Sequence, residues 1–337
     1  MFEDKVLETI KKYNMIQKGD KVVVAVSGGP DSMSLLNSLL NIKKLIEFKI
    51  VVAHVNHMIR EVADEETEYV RNFCDRYNIT CYVKKIDVIK KAESEKISTE
   101  EAGRNARYDF FEEVFIKENA NKIAIAHNAN DNAETVLMNI IRGTGVSGLK
   151  GIEPIRLQKF IRPLIEIERA EIEQYCENEK LNPKFDKSNE ENVYTRNKVR
   201  NLLIPYIKDQ FNPNIIESIN RLSKLADQET KYIDNVIQNF YKEICICESS
   251  KDDNSAKIEE IVIDLNKYNN ADKYIRGKII MLCTYKIFGT TKGIEKKHIE
   301  DIIVMCEKNI GNKFLTPNKH FKIAVNKGRI TISRVTI

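Results

Sequence analysis

The sequence lacks any apolar run near the roughly 20 residues needed to span a bilayer. Its N-terminus, Met1–Lys21, is charged and helix-like and has no signal-peptide h-region, so the protein is expected in the cytoplasm. Cys-x-x-Cys is missing too: seven cysteines are scattered singly, apart from Cys245 and Cys247. An odd count without a paired motif argues against a zinc site and against a disulfide framework. Most of the cysteines then read as buried apolar fillers. No internal repeat is visible. Hydrophobic residues at 42% and charged residues at 31% exclude a disordered chain. The 337 residues suffice for two or three domains, at roughly 100–200 residues each.

The net charge of +4 is unevenly spread. Ala271–Ile337 carries 14 Lys/Arg against 5 Asp/Glu, and the remainder carries 40 against 45. This asymmetry points to a polyanion partner held by the C-terminal part. A solvated basic surface is the plainer alternative.

Lys21–Val26 (KVVVAV) is a continuous β-branched run, suited to a strand buried on both faces of a parallel sheet. Phe48–Val55, Cys81–Val88 and Lys122–Ala126 read as further strands. Glu61–Tyr77, Thr99–Glu118 and Asn132–Arg142 read as the helices between and after them. This alternation predicts an α/β fold with a doubly wound parallel sheet. Ligands of such sheets sit beyond the carboxyl ends of the strands. Three polar clusters lie at those ends: Ser27–Ser32, His54–Arg60 and His127–Glu134. Gly143–Gly151 reads as a glycine-rich loop, and Glu168–Glu179, Tyr194–Ile207 and Asn214–Glu243 as helices. After a polar linker, Glu248–Lys257, the pattern gives a strand over Ile258–Leu265 and helices over Asp272–Tyr285 and Glu295–Lys308. A hairpin over Lys319–Ile337 then turns near Asn326–Gly328, closing a small α+β C-terminal domain.

Ser27-Gly28-Gly29-Pro30-Asp31-Ser32 joins the first strand to a helix. Two glycines let backbone N–H groups turn toward one anion. The serine hydroxyls and the positive end of the following helix add to this. No lysine follows the glycines, so this is not the Gly-Lys-Ser/Thr nucleotide loop. Asp31 would repel a bare phosphate and is read as holding Mg²⁺ that bridges phosphates. An ordinary turn with Asp31 or Ser32 as N-cap is the alternative. Both serines, the aspartate and the preceding strand together favour the nucleotide.

The loop resembles the signature of the PP-loop ATP pyrophosphatases, which split ATP between its α- and β-phosphates. Four further segments narrow the resemblance. They are His54-Val-Asn-His-Met-Ile-Arg60, Glu100-Glu-Ala-Gly-Arg-Asn-Ala-Arg-Tyr108 and Ala126-His-Asn-Ala-Asn-Asp-Asn-Ala-Glu-Thr135. The last is Asp186-Lys-Ser-Asn189, with Tyr194-Thr-Arg-Asn-Lys-Val-Arg200 after it. In this order they resemble the tRNA(Ile)-lysidine synthetase family over about Lys21–Pro205. The resemblance implies adenylation of the C2 oxygen of the wobble cytidine in a CAU-anticodon isoleucine tRNA. The ε-amine of L-lysine then displaces AMP.

The resemblance also distributes roles. ATP is expected on Ser27, Gly28, Gly29, Pro30, Asp31, Ser32, His54, Arg107 and His127. Arg107 faces phosphate, and a surface pairing with Glu100 or Glu101 is the alternative. Asp131 and Glu134 match the lysine-binding acids; capping and dipole stabilisation at a helix start is their plainer role. Arg196 is assigned to the lysine carboxylate, and Arg60, Arg196, Lys198 and Arg200 to tRNA. The catalytic set is Asp31, Arg107, Asp131 and Glu134. Asn130 stands where the family often has Asp, leaving open a second acid for metal binding. His54 and His57 lack a third ligand of the zinc type, so no metal is assigned to them.

Residues 1–212 are expected to form the catalytic domain, 213–257 a helical connection and 258–337 a basic tRNA-binding domain. Tyr274, Tyr285, Phe314 and Phe321 are interleaved with the basic residues of that last part. A homodimer stays open. The competing reading is a PP-loop tRNA thiolase or another adenylating synthetase. A thiolase needs a reactive cysteine pair or an iron–sulfur cluster, for which the cysteine spacing offers no support.

Overall fold

β-Branched runs that water would penalise on either face form the centre of a sheet here. In the computed structural model, residues 1–56, 63–184, 194–250, 258–308, 313–318 and 320–335 are described. They form two units, Met1–Asp227 and Gln228–Ile337.

In the first unit α1 (Phe2–Lys12) precedes β1 (Lys21–Ala25), α2 (Pro30–Ile42), β2 (Lys49–Asn56), α3 (Ala63–Arg76) and β3 (Thr80–Lys85). Then come α4 (Val88–Glu95), α5 (Thr99–Lys117), β4 (Lys122–Ala124), α6 (Ala129–Ile141), β5 (Ile155–Arg156), β6 (Phe160–Ile161) and α7 (Arg169–Asn178). The sheet order is β3-β2-β1-β4-β6-β5, parallel except for the edge strand β5. Val22 and Val24 point to one face with Leu35, Leu36 and Ile172. Val23 and Ala25 point to the other, with Phe110, Phe111 and Val114. Period-two alternation thus buries both faces. Each such valine, leucine, isoleucine or phenylalanine contributes roughly 1.5–3 kcal/mol on burial. The strand order reverses between β1 and β4, which opens a crevice beyond their carboxyl ends.

The expected strand over Cys81–Val88 ends at Lys85, because Val88 starts α4, capped by the Asp87 side chain accepting from Lys90 N at 3.1 Å. The expected helix over Tyr194–Ile207 is α8 (Thr195–Lys198) and α9 (Ile204–Gln210), joined by a π-turn at Val199–Leu203. Pro205 supplies no N–H there, which breaks the regular ladder.

The long helix α10 (Ile215–Ile244) contains the boundary between the units. Ile216 and Ile219 pack with Val136 and Val199 of the first unit. Ile237, Tyr241 and Ile244 join the core of the second. That second unit adds β7 (Cys245–Ser249), β8 (Glu260–Asp264), α11 (Leu265–Asn269), α12 (Lys273–Phe288), α13 (Lys296–Lys308), β9 (Lys313–Asn318), β10 (Phe321–Asn326) and β11 (Arg329–Arg334). Its antiparallel sheet runs β7-β8-β11-β10-β9. Phe321 is fully buried in this core and offers no ring to an RNA, whereas Tyr274, Tyr285 and Phe314 are exposed. No helix among the described residues is long and apolar enough to cross a membrane.

Candidate active site

Three chain segments meet at the crevice. The first is the turn from β1 into α2. Gly28 holds φ at +95°, a left-handed geometry that side chains resist, and Gly29 is the N-cap with Pro30 at the first helical position. The amides of Ser27 and Gly28 donate to Ser32 Oγ at 3.1 and 3.2 Å, and Ser32 Oγ in turn donates to the Gly29 carbonyl at 3.0 Å. The two amides therefore converge on one oxygen. The exposed Ser27 hydroxyl donates to Ser32 Oγ at 3.1 Å, so the donors left for an anion are the first-turn amides of α2, which have no intrahelical partner.

His54 lies beneath this turn. Its Nδ1 donates to the Val26 carbonyl at 2.9 Å, and its Nε2 accepts from Thr67 Oγ1 at 3.0 Å. The carbonyl can only accept, which fixes the tautomer. Burial pushes the imidazole pKa down, so it is neutral. Both ring nitrogens are thus engaged in holding the strand ends.

The second segment is the start of α6. Asn128 caps this helix: its Oδ1 accepts from Asp131 N at 3.0 Å, and Asp131 Oδ2 accepts from Asn128 N at 3.1 Å. Its Nδ2 also donates to Asp31 Oδ1 at 3.0 Å. One buried amide therefore ties the turn's aspartate to that of α6. Asp31 is pushed up to about 6 by burial and by the neighbouring Asp131 charge, against the pull of Arg169 and Asn128. Arg169 Nη2 lies 3.9 Å from Asp31 Oδ2. Asn130 Oδ1 accepts from Arg169 N at 3.0 Å, so it anchors the start of α7.

The third segment is α8 with its π-turn. Arg196 Nε and Arg200 Nε donate to Glu134 Oε2 and Oε1 at 2.8 and 2.6 Å, and Arg200 Nη2 adds a bond to Oε2 at 2.8 Å. Both Nη2 groups also reach Asp131 Oδ1 at 3.1 Å. The two acids and two arginines form one nearly closed network with balanced charge. Lys198 lies on another face, lining an apolar groove with Ile141, Leu202 and Tyr206.

His127 accepts from Arg162 Nε at 3.0 Å through Nδ1, which leaves its proton on Nε2. Its pKa is pushed down to about 3 by burial and by the charges of Arg162, Arg196, Arg104 and Arg107. A neutral imidazole in a ring of guanidiniums is a polyanion setting. Arg107 is exposed and makes no ion pair among the described residues.

Of the expected site residues, Asp31, Asp131, Glu134, Arg196 and Arg200 are brought together, and Arg107 and His127 share the cationic side. Arg60, His57 and the segment Asp186–Asn189 lie outside the described residues. The sequence reading missed Asn128, Arg162 and Arg169. Asn128 carried a signal, as an N-cap type between His127 and Asp131; Arg162 carried only its place before Pro163. Among the described residues no three His, Cys, Asp or Glu side chains gather to hold a metal. A Mg²⁺ site of one or two carboxylates completed by substrate phosphates still fits Asp31. Cys176, whose Sγ is 3.7 Å from the Pro30 carbonyl, is buried and its thiol is pushed up by that burial, the reverse of an activated nucleophile.

Comparison with known proteins agrees with this geometry. Residues 1–207 match the PP-loop domain model. The chain is 46% identical to the tRNA(Ile)-lysidine synthase of Clostridium acetobutylicum over 97% of its own length and 69% of that protein. It is 42% identical to that of Clostridioides difficile over 100% of its length and 71% of the relative. The U34-tRNA thiolase of Methanococcus maripaludis, solved with its [4Fe-4S] cluster, superposes with a TM-score of 0.56 at 22% identity, covering 67% of this chain and 78% of the thiolase. That likeness speaks for the fold alone. The extent and level of identity to the synthases, over a PP-loop crevice with paired acids, place this chain in the tRNA(Ile)-lysidine synthase family.

Proposed function

We propose that the chain joins L-lysine to C2 of the wobble cytidine of CAU-anticodon tRNA(Ile), with ATP converted to AMP and pyrophosphate. The observation that carries this reading is the Asn128 bridge, which sets Asp131, joined to Glu134 through Arg196 and Arg200, beside the aspartate of the nucleotide turn.

The C2 oxygen of cytosine is a poor leaving group. It attacks the α-phosphorus of ATP, pyrophosphate departs, and the oxygen leaves later as part of AMP when the lysine ε-amine bonds to C2. The turn and the start of α2 hold the triphosphate. Arg107 and the Nε2–H of His127 face oxygens on which charge grows. Mg²⁺, when bound, supplies neutralisation of the pyrophosphate charge, and Asp31 is the carboxylate to hold it. Lysine carries both signs, as does the network of Asp131, Glu134, Arg196 and Arg200. Its ammonium fits the two acids, one of which takes the proton that frees the amine; its carboxylate fits the guanidiniums. The exposed aromatic and basic residues of the second unit, Tyr274, Tyr285 and Phe314 among them, fit contact with tRNA away from the anticodon. The reaction belongs in the cytoplasm with its tRNA.

The test is pyrophosphate release by the purified chain. It should require both lysine and the CAU-anticodon tRNA for full turnover; release that ignores both would remove the reading. Cysteine chemistry is not required, so a chain with all seven cysteines replaced should keep turnover.

A further inference from the structure

Arginines on the β4–β6 side of the crevice carry an imbalance that the nucleotide turn does not absorb. Arg162 is only 3% exposed, yet its hydrogen-bond partners are neutral: Nε donates to His127 Nδ1 and Nη1 to the Glu153 carbonyl. The half-buried Arg156 lays its guanidinium over the rings of Tyr108 and Phe160, at 5.3 and 5.2 Å from their centroids. Its Nε is buried without a hydrogen-bond partner, and so is the Tyr108 hydroxyl. Arg104 lies over the Tyr108 ring at 5.4 Å. Among the described residues, none of Arg104, Arg156 and Arg162 has an ion-pair partner. A buried guanidinium without a counter-charge costs several kcal/mol, and two orphaned donors beside it add to that cost. An anion would satisfy all three.

We propose that Arg156, Arg162 and the Tyr108 hydroxyl form a phosphate subsite separate from the Ser27–Ser32 turn. The ligand chemistry is a phosphate oxyanion. Guanidinium forks match its geometry, and the phenol adds a third donor. Two sources supply such a group: the nucleotide, or the backbone of the substrate RNA next to the reacting cytidine. The second source rests on the function proposed above; binding of a bare phosphate does not.

The experiment uses the full chain and three probes: inorganic pyrophosphate, ATP, and an unmodified CAU-anticodon tRNA transcript. Calorimetry reads the first two, and filter binding over a salt series reads the third. Arg156→Gln and Arg162→Gln should each weaken at least one probe by about tenfold. Loss confined to pyrophosphate and ATP assigns the subsite to the nucleotide. Loss of RNA affinity, with the salt slope reduced by about one, assigns it to the backbone. Should Arg162→Gln fail to fold, Arg156→Gln and Tyr108→Phe carry the test, the latter with a smaller loss on the same probe. Folded Arg156→Gln and Tyr108→Phe proteins that hold all three probes within twofold of the parent overturn the proposal. If the chain never lysylates RNA but these variants lose pyrophosphate, the subsite stands and the reaction assigned above falls.

Discussion

Removing Arg200 should expose how strongly the acid–arginine network is built. Glu134 is 1% exposed and accepts three guanidinium hydrogen bonds of 2.6–2.8 Å. Arg200→Gln deletes two of the three and leaves a buried carboxylate facing Arg196 alone. Hydrogen bonds to charged groups are worth about 1.5–3 kcal/mol each. Breaking a buried pair from one side costs about 3–5 kcal/mol. Arg200 keeps some solvent contact, with 17% of its side chain exposed, and Arg196 remains, so the lower end applies: about 3 kcal/mol. Urea unfolding of the full chain, followed by a probe in the first unit, reads the loss. Glu134→Gln in the same background removes the stranded charge. The double variant should therefore lose less than the sum of the singles, with coupling of about 1–3 kcal/mol. A single-variant cost below about 1 kcal/mol, with strictly additive losses, would refute the reasoning.

Three further outcomes follow from the site. Gly28→Ala puts a side chain at φ +95°, while its Cβ meets Glu66 Cβ at an ordinary 3.6 Å; the cost is backbone strain of about 1–3 kcal/mol, read by melting together with nucleotide titration, and an unchanged protein would contradict it. Asp31, pushed up to about 6, is favoured neutral in the fold, so its contribution to stability falls as pH rises from about 4 to 6, while Mg²⁺–nucleotide binding needs the ionised form and is lost as pH drops through about 6. Asn128→Ala removes a bond that lowers that value and should move the midpoint upward, whereas His127→Gln should leave it in place, since His127, pushed down to about 3, does not titrate there; a midpoint that follows His127 instead would sink the assignment. Asp31→Ala should abolish ATP–pyrophosphate exchange with tRNA present, and Glu134→Ala should spare exchange and raise the lysine requirement; equal loss in both would end this division of labour.

What was legible in the sequence follows from how local each feature is. The β1 run and the Gly-Gly turn are dictated by neighbouring residues, so β1 was read within one residue and a helix was expected directly after the turn. Asp131 and Glu134 share one helix face, and their pairing needed only helical spacing. Strands of two residues such as β5 and β6 leave no periodicity to detect, and so Arg156 and Arg162 went unread. β7 was missed because its residues, Cys245–Ser249, are largely exposed and polar and pair only through β8. Asn128 is the cap of α6, where the sequence suggested Asp131, and that its amide also reaches Asp31 depends on packing between segments 97 residues apart. Phe321 looked like a surface aromatic among lysines, yet strand alternation turns it into the core.

The most direct test of the account is the mass of the wobble nucleoside after CAU-anticodon isoleucine tRNA is incubated with this chain, ATP and lysine. Digestion and mass spectrometry should show cytidine heavier by one lysine less one water, with AMP and pyrophosphate formed in equal amounts. Unchanged cytidine under conditions where the chain binds both ATP and the tRNA, or sulfur in place of oxygen at C2, would contradict it.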